Sequence, residues 1–479
     1  MAGVLVGLSD HQLVKHLERL KALGLVFRYT TDGQVAYSAH PFLREFFRNL
    51  LGTKPESVHE SVRTRLAPSL KTLPDKMPSD PAILDRYELL IEQTLLAGRV
   101  REAFGLYWYG LGSYKNLGWV LGENARGLRI LERFVPMDDF SLIVPHLPPQ
   151  QRSALVNALG LFAKNLGDLA RARVAFAHCR RLDASASDLQ SESIDAQNLA
   201  DVELNAGQFS QALASAESAV SFAGEAKDDT ETPDSLCLRA PARFALGDVT
   251  AAKADFQRAT ELQGRPRVSA SGIREAESKL IRGDRPGAVS QTQVNREFMV
   301  RYNFSDDLCR CNALLARLLL PDDPAEAAQH LQDARASASR SGNVELQLRC
   351  FHAACELHRH LGDLAQSITE AEAGILLADT CAFGGFSIDL RLALAETLLA
   401  AGDPRKALQN ARTALDRSEA PDCQYAWGKA DGLHFCGLAH LRLGEHELAR
   451  QRLTAALELR ERLGHGRIDE TRRALDQCR

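Results

Sequence analysis

The sequence predicts an all-α protein, a superhelix (solenoid) of stacked helical hairpins with a small helix-and-hairpin module at its N-terminus. Three observations predict this fold. A glycine-containing string recurs along most of the chain at intervals near 40 residues, and periods of that length indicate solenoid repeats. Small residues occupy fixed positions after each of these glycines. Aromatic residues make up only 6% of the chain, whereas alanine and leucine, which hold a helix at little entropic cost, are abundant.

The first elements in chain order form a short module of mixed structure. Residues 9–22, SDHQLVKHLERLKA, predict an amphipathic helix with Ser9 as its N-cap. The following stretch, LGLVFRYTTDGQVAYSAH, predicts a β-hairpin with strands at 26–29 and 35–37. Pro41 then begins a second predicted helix, PFLREFFRNLL. Helix, hairpin and helix in this order are typical of a winged-helix module that lacks its first helix.

The rest of the chain consists of many diverged copies of one repeat. The strongest copies carry a glycine at 167, 207, 247, 362, 402 and 444, and weaker copies lie at Gly98, Gly122, Gly283 and Asp322. The residue five positions after each anchor is always small: Ala103, Gly127, Ala172, Ala212, Ala252, Ala288, Ala327, Ser367, Ala407 and Ala449. Glycine can close one helix with a left-handed cap. The next helix then packs closely against the first, and a large side chain at the contact would separate them.

These repeats resemble the tetratricopeptide family. Leu159-Gly160, followed by Ala172 and Phe176, matches the pairing of Leu-Gly in a first helix with Ala and an aromatic residue in a second. The repeat here is near 40 residues, longer than the family's usual 34, which we interpret as longer helices and loops. We therefore expect a winged-helix module at 1–52, a helical connection at 53–80, a repeat solenoid at 81–465 and a polar capping helix at 466–479. A solenoid end needs such a cap because its last repeat has no neighbour to cover it.

The segment AYSAHPFLREFF resembles the winged-helix segment of STAND-class signalling NTPases. In that class a tyrosine-bearing strand leads into a His-Asp pair, and a winged helix commonly precedes a helical-repeat sensor. The family's nucleotide-sensing histidine maps onto His40, whereas Pro41 stands at the position of the aspartate. No G-x-x-x-x-G-K-[ST] phosphate loop occurs in the sequence. The resemblance therefore implies an NTPase region outside this chain, and we expect the chain to be the C-terminal portion of a larger protein.

Composition argues against several classes of function. The net charge is −4, and basic residues exceed acidic ones by only two over residues 1–52, which is weak for an interface with nucleic acid phosphates. No apolar run is long enough for a membrane-spanning helix. The ten cysteines form no regular framework, which is typical of free thiols in the cytoplasm. No catalytic string is recognisable, so we expect no enzyme activity and no cofactor.

The densest group of reactive side chains, CFHAACELHRH at 350–360, sits on one predicted helix and has no partner pair elsewhere. A zinc site usually takes four converging ligands, so we expect packed thiols and surface imidazoles rather than a metal site. The tract 105–121, GLYWYGLGSYKNLGWVL, is unusually aromatic. It fits either an interaction patch or a packed junction between the winged helix and the solenoid, and we favour the junction.

The stronger candidate is the concave face of the solenoid, which the first helix of each pair lines. Placed in the repeat register, eleven polar residues are predicted to face this groove: Asn157, Lys164, Gln197, Asp201, Asn312, His352, Glu356, Arg359, Asp389, Glu396 and His434. Singly, each fits a solvated surface. As a set carrying both signs of charge they predict a channel that binds a protein or peptide rather than a polyanion. We interpret the chain as the sensing region of a STAND-type protein; the alternatives are a free-standing scaffold joining two proteins and, less favoured, a DNA-reading regulator.

Overall fold

The computed structural model describes residues 9–31, 34–39, 55–70, 77–135, 139–140, 146–263 and 269–478. The chain divides into two compact units, one of Met1–Leu117 with Arg129–Pro148, the other of Gly118–Leu128 with Pro149–Arg479. This division differs from the predicted one, in which the solenoid begins at residue 81, and the predicted domain boundaries stay a prediction.

The first unit begins with the predicted helix and hairpin. Helix α1, Asp10–Ala22, is closed at its start by a capping box between Ser9 and Gln12. Strands β1, Val26–Thr31, and β2, Gln34–Ala39, pair antiparallel. The helix expected at Pro41 lies outside the described residues, so the winged-helix module stays a prediction.

Short helices complete the first unit and lead into the second. They are α2 Pro55–Leu66, α3 Pro81–Leu96, α4 Val100–Gly105 and α5 Asn124–Glu132. Helix α4 continues into a π-helical turn, Leu106–Gly110, and a second π-helical turn spans Lys115–Val120. The repeat pattern did not predict these wider turns, which fall within the aromatic tract.

The second unit is a tetratricopeptide-like stack of helical hairpins. Its helices after α5 are α6 Pro149–Asn165, α7 Leu169–Ala186, α8 Leu189–Asn205, α9 Phe209–Ala226, α10 Glu231–Ala245, α11 Val249–Gln263, α12 Ser269–Ile281, α13 Arg285–Tyr302, α14 Ser305–Leu318, α15 Pro324–Ser341, α16 Val344–His360, α17 Leu364–Thr380, α18 Gly384–Ala400, α19 Pro404–Glu419, α20 Ala426–Arg442, α21 His446–Leu463 and α22 Ile468–Asp476. From α6 to α21, each even-numbered helix is the first member of a pair, and each odd-numbered helix is the second member. Most consecutive helices from α6 onward pack on one another, and first helices also contact one another.

The hairpin turn is encoded by a glycine followed by an acidic residue. At Gly402 the backbone takes φ +80°, which ends α18. The side chain of the next residue, Asp403, accepts a hydrogen bond from the backbone N–H of Lys406 and so begins α19. The aspartate thereby satisfies one of the four N–H groups that a helix start leaves without a partner. Gly362 and Asp363 repeat the arrangement between α16 and α17.

The column of small residues is buried throughout, as the sequence predicts. All ten positions, from Ala103 to Ala449, lie in contacts between helices. Ala172 and Ala407, for example, are 0% exposed. This packing explains why the helices of each pair can approach closely along the whole stack.

The superhelix also packs on itself, one turn against the next. The indole N–H of Trp427 donates to the carbonyl of Phe244, 183 residues away, at 2.6 Å, and the two rings stack at 4.3 Å. Gly466 N donates to Ile281 O at 3.0 Å. The loop glycine Gly207 lies directly against Gly384. These contacts join the loops of an earlier turn to the helix starts of a later turn and close the coil around an interior space.

Within the described ranges, every helix is too short or too polar to span a bilayer.

Candidate ligand cavity

The coil of the second unit surrounds a cavity of about 820 Å³ that is partly open to solvent. Its wall is built from the first helices α8, α10, α12, α14, α16, α18 and α20, together with the segment that leads into α22. Because both turns contribute, residues far apart in the chain face one another. The volume lies within the range of pockets that hold small-molecule ligands, about 300–1,000 Å³.

Five of the eleven predicted groove residues line this cavity: His352, Glu356, Arg359, Asp389 and Glu396. They are the five that the sequence places on two neighbouring first helices, now α16 and α18. The structure therefore brings together the five predicted residues of α16 and α18. That these residues bind a partner stays a prediction.

Glu356 is held by a two-pronged ion pair. Arg317 Nε and Nη2 donate to its two carboxylate oxygens at 2.8 and 2.9 Å, and His352 Nε2 lies 3.3 Å from Oε1. Burial opposes the charged form, but the Arg317 guanidinium keeps the pKa of Glu356 well below its usual range. Burial and then Arg317 lower the pKa of His352. The side chain is accordingly a neutral imidazole at neutral pH.

A second ion cluster surrounds Glu396. Arg359 Nη2 lies 3.1 Å from one carboxylate oxygen, and Arg467 Nη2 donates to the other at 2.7 Å. Arg467 also donates to Glu470 at 2.7 Å. This cluster ties α16 and α18 to the segment before α22, so the last repeats close one end of the cavity wall.

The groove prediction missed several charged residues of the wall, among them Glu277, Arg317, Arg349, Asp431 and Arg467. Glu277 pairs with Arg349, and Asp431 pairs with Arg460 and with His465. A signal for some of them was present, because ion partners on neighbouring first helices are one repeat apart, as the 39-residue separation of Arg317 and Glu356 shows. Pairs that bridge the two turns carry no such local signal.

Asp389 differs from the other wall carboxylates. The Tyr425 side chain lies beside it, and no ion pair holds it among the residues the structure describes. Burial raises its pKa to about 7, Asp431 and Glu277 add to the rise, and Arg317 opposes it. A carboxyl with a pKa near 7 exchanges its proton in the physiological range.

Aromatic rings form the apolar part of the wall. Phe244 and Trp427 stack at the contact between turns, and Phe209 packs on Tyr425 with ring centroids 5.0 Å apart. The Arg349 guanidinium lies 5.6 Å from the ring centre of Phe386. The wall therefore combines flat apolar faces with charged groups already fixed by their partners.

Four further predicted residues lie on α6 and α8, away from the cavity lining. Lys164 pairs with Asp201, which also pairs with Arg274 of the cavity wall. Asn157 Oδ1 accepts from Asn198 at 3.1 Å, and Gln197 donates to Ser235 at 2.9 Å. These groups bridge neighbouring first helices, which is a structural role that the sequence set did not anticipate.

Two predicted groove residues are buried instead of facing the groove. Asn312 is 4% exposed, and its Oδ1 accepts from Arg296 Nε at 3.0 Å and lies 3.2 Å from His330 Nδ1, so it faces the second helices. His434 is 1% exposed and contacts Thr471 of α22. A repeat register assigned from small residues fixes which helix a residue occupies, but an error of one position rotates a side chain by about 100°.

The remaining candidates are placed as follows. His40 lies outside the described residues. Cys350 and Cys355 are buried in the helix stack. Among the described residues, no group of three or more His, Cys, Asp or Glu side chains is arranged to hold a metal ion. In the aromatic tract, Tyr107 is buried against Phe134 with ring centroids 6.4 Å apart, whereas Tyr109 is 73% exposed.

Comparison with known proteins gives similarity at the level of structure only. No protein-family model and no curated protein matches the sequence. Similar solved structures include a Signal Transduction ATPase with Numerous Domains (STAND) protein with a tetratricopeptide repeat sensor from Pyrococcus horikoshii, at 12% identity and a TM-score of 0.39 over 96% of this chain. This chain spans 60% of that protein's length.

Two other similar structures are a Rap protein complexed with Competence and Sporulation Factor and the human IFIT1 dimer with PPP-AAAA. The first is 12% identical, with a TM-score of 0.34 over 88% of this chain and 97% of that chain. The second is 12% identical, with a TM-score of 0.42 over 88% of this chain and 93% of that chain. Similarities this low carry no argument about ligand or function.

Proposed function

We propose that the second unit binds a protein or peptide ligand in its cavity, and that this binding makes the chain the sensing region of a STAND-type signalling protein. The observation that carries the first part is the cavity of about 820 Å³, walled by fixed charge pairs and aromatic rings from two turns of the coil. Fixed charges of both signs suit a ligand that carries backbone donors and acceptors as well as side chains.

The binding part is tested with a defined random hexapeptide library. The purified protein is incubated with the library, separated by size exclusion, and the retained peptides are quantified by mass spectrometry. Ser278 lines the cavity, so Ser278→Trp should fill part of it and lower retention by about tenfold, a loss of about 1.4 kcal/mol. Ser221 is exposed on α9, and Ser221→Trp is the matched control that should retain peptides as the wild type does. Equal retention by Ser278→Trp and wild type would place binding elsewhere.

The regulatory part rests on the resemblance at AYSAHPFLREFF and on the order of that segment before the repeats. A ligand that touches both turns favours the closed coil over more open forms, because it gains contacts only when the turns meet. Curvature of the coil would then bias the activity of an NTPase region. A phosphate loop encoded upstream in the same reading frame would support this part, and its absence would leave a free-standing scaffold.

We also propose that the chain itself catalyses no reaction. The motivation is the lack of a phosphate-loop motif in the sequence. The purified chain should show no ATP hydrolysis above a matched blank preparation, measured as released phosphate. Turnover that persists through repeated chromatography and follows the protein peak would contradict this.

A further inference from the structure

The cavity wall holds six carboxylates, and five of them already have a cation. Glu356 is bound by Arg317, Glu396 by Arg359 and Arg467, and Glu470 by Arg467. Glu277 and Asp431 are paired as described above. Within the described part of the chain, Asp389 alone of these six has no Lys, Arg or His partner.

The surroundings of Asp389 favour a positive charge that a bound ligand would supply. Two acidic side chains, Asp431 and Glu277, add negative potential at Asp389. Arg317 acts in the opposite direction, but its guanidinium donates two hydrogen bonds to Glu356. Asp389 is half-buried. A carboxylate shielded from water without a counter-ion is costly, and a cation placed beside it lowers that cost.

Aromatic faces lie on the same part of the wall. Phe386 is three residues before Asp389 on α18, so the two side chains share a helix face. Its ring already lies next to the Arg349 guanidinium, which shows that this part of the wall accommodates a cation on an aromatic face. Tyr425 supplies a second ring, which packs on Phe209, and its side chain lies beside Asp389.

We propose that Asp389, with Tyr425 and Phe386, is the subsite that receives a cationic group of the ligand, an ammonium or a guanidinium. This inference rests on the proposed peptide-binding function and adds the chemistry that selects the peptide. The group comes either from a Lys or Arg side chain or from the peptide's own N-terminus. The other wall carboxylates would not select a cation, because each already has one.

The affinity for such a ligand depends on pH in a defined direction. Asp389 without ligand has a pKa of about 7, and a bound cation lowers that pKa. Binding therefore releases a proton and strengthens as pH rises through 7. The charged groups that face Asp389 are Arg317, Glu277 and Asp431, with Tyr425 beside it. Burial lowers the pKa of His352, so this side chain loses its charge at a lower pH than an ordinary histidine.

The test uses three hexapeptide libraries in the retention assay. One is N-acetylated and contains one Lys or Arg per peptide, one has a free N-terminus and no Lys or Arg, and one is N-acetylated and has neither. We expect one of the first two libraries to be retained about tenfold more than the third by the wild type. The preferred library identifies the source of the cation. Asp389→Asn should abolish the preference, whereas Glu372→Gln, an exposed carboxylate on α17, should not.

The wild-type protein supplies a measurement that needs no variant. Where the preferred library is the one with Lys or Arg, its retention should rise about tenfold from pH 6 to pH 8. A preference for the free N-terminus should give a smaller rise, because the α-ammonium itself loses its proton near pH 8. Retention of the neutral library should stay level. Equal retention of all three libraries, or a cation preference that survives in a folded Asp389→Asn variant, would overturn the inference and leave peptide binding intact. Retention of every library no better than by Ser278→Trp would overturn the proposed function, and the inference with it.

Discussion

At the scale of single residues, glycines with the same backbone conformation have different surroundings in different turns of the coil. Gly207 has φ +71° and Gly402 has φ +80°, a region that residues with a Cβ rarely adopt. A Cβ on Gly207 would lie 2.7 Å from the backbone N of Gly385 in the next turn, whereas one on Gly402 would meet nothing within 4 Å. Gly207 therefore both ends helix α8 and allows close contact between two turns of the coil.

Alanine at these two positions should separate the two roles. Gly402→Ala should lower the free energy of unfolding by about 1–2 kcal/mol through backbone strain alone. Gly207→Ala carries the same strain and also forces the two turns apart, so its loss should exceed that of Gly402→Ala by about 1 kcal/mol or more. Equilibrium urea unfolding of both variants measures the difference. Equal losses would mean that the close approach at Gly207 is relieved without cost.

A buried acid pair between α7 and α8 is a second residue-scale feature. Asp195 is 1% exposed and lies in hydrogen-bonding contact with Asp183, which also accepts from Ser153 Oγ at 2.6 Å. Burial first, and then the negative charge of Asp183, raise the pKa of Asp195 to about 9. Asp195 is therefore protonated at neutral pH and donates to Asp183, because two adjacent carboxylates cannot both stay charged in a buried site.

This pair predicts a loss of stability at high pH. The folded-state pKa of Asp195 lies above the unfolded value, so its contribution is fully present below about pH 4 and is lost as pH rises toward 9. Asp195→Asn keeps a donor toward Asp183 but does not titrate. The free energy of unfolding of the wild type, relative to this variant, should fall by up to about 1.4 kcal/mol per pH unit between pH 5 and pH 9. Parallel pH profiles from urea unfolding would contradict the assignment.

At the scale of the helix pair, close packing depends on which face of the second helix a small residue occupies. Ala252 and Ala254 both lie on α11, two residues apart. Ala252 is 1% exposed within the stack, whereas Ala254 is exposed to solvent. The two positions differ by about 200° around the helix, so the same substitution meets a neighbouring helix at one and solvent at the other.

Leucine at each position tests the role of the small-residue column. Ala252→Leu should destabilise the protein by about 1–3 kcal/mol, because the added side chain forces the paired helices apart. Ala254→Leu should change the free energy of unfolding by less than about 0.5 kcal/mol, as is usual for surface substitutions. Thermal melts followed by circular dichroism at the helix band measure both. A stable Ala252→Leu variant would show that the hairpin can widen freely.

At the scale of the second unit, the contact between turns decides whether a cavity exists at all. Trp427 is 2% exposed and joins α20 to the end of α10 through its ring and its indole N–H. Aromatic stacking and a buried hydrogen bond act at the same place. Residues of both turns then share one hydrophobic cluster, which includes Phe209, Phe244, Ile388 and Trp427.

Replacing Trp427 with Phe should loosen this contact while keeping an aromatic ring. The carbonyl of Phe244 loses its indole donor, which should cost about 1–3 kcal/mol. Hydrogen exchange gives the location: the amide of Gly466, which donates to Ile281 O across the turns, should exchange faster. The amide of Gly362, which donates to Arg359 O inside one hairpin, is the control and should exchange unchanged. Equal protection of Gly466 in both proteins would show that the turns hold without this bond.

The repeat, the helix pairs and the small-residue column can all be predicted from the amino-acid sequence alone. This is possible because a cap such as Gly402-Asp403 and a packing position such as Ala407 act within one hairpin, between residues close in the chain. The repeat register also assigns five cavity residues to adjoining first helices: His352, Glu356, Arg359, Asp389 and Glu396. These are consequences of helical period and repeat length, and both can be measured along the sequence.

The curvature of the coil, and with it the candidate site, depends on tertiary contacts. Curvature is the sum of small rotations between repeats, and no single residue encodes it. The contact of Trp427 with Phe244 is therefore not visible in any local pattern. The same holds for the burial of His434 and for the lack of an ion-pair partner for Asp389 in the described structure, because each depends on neighbours that the coil brings from other repeats.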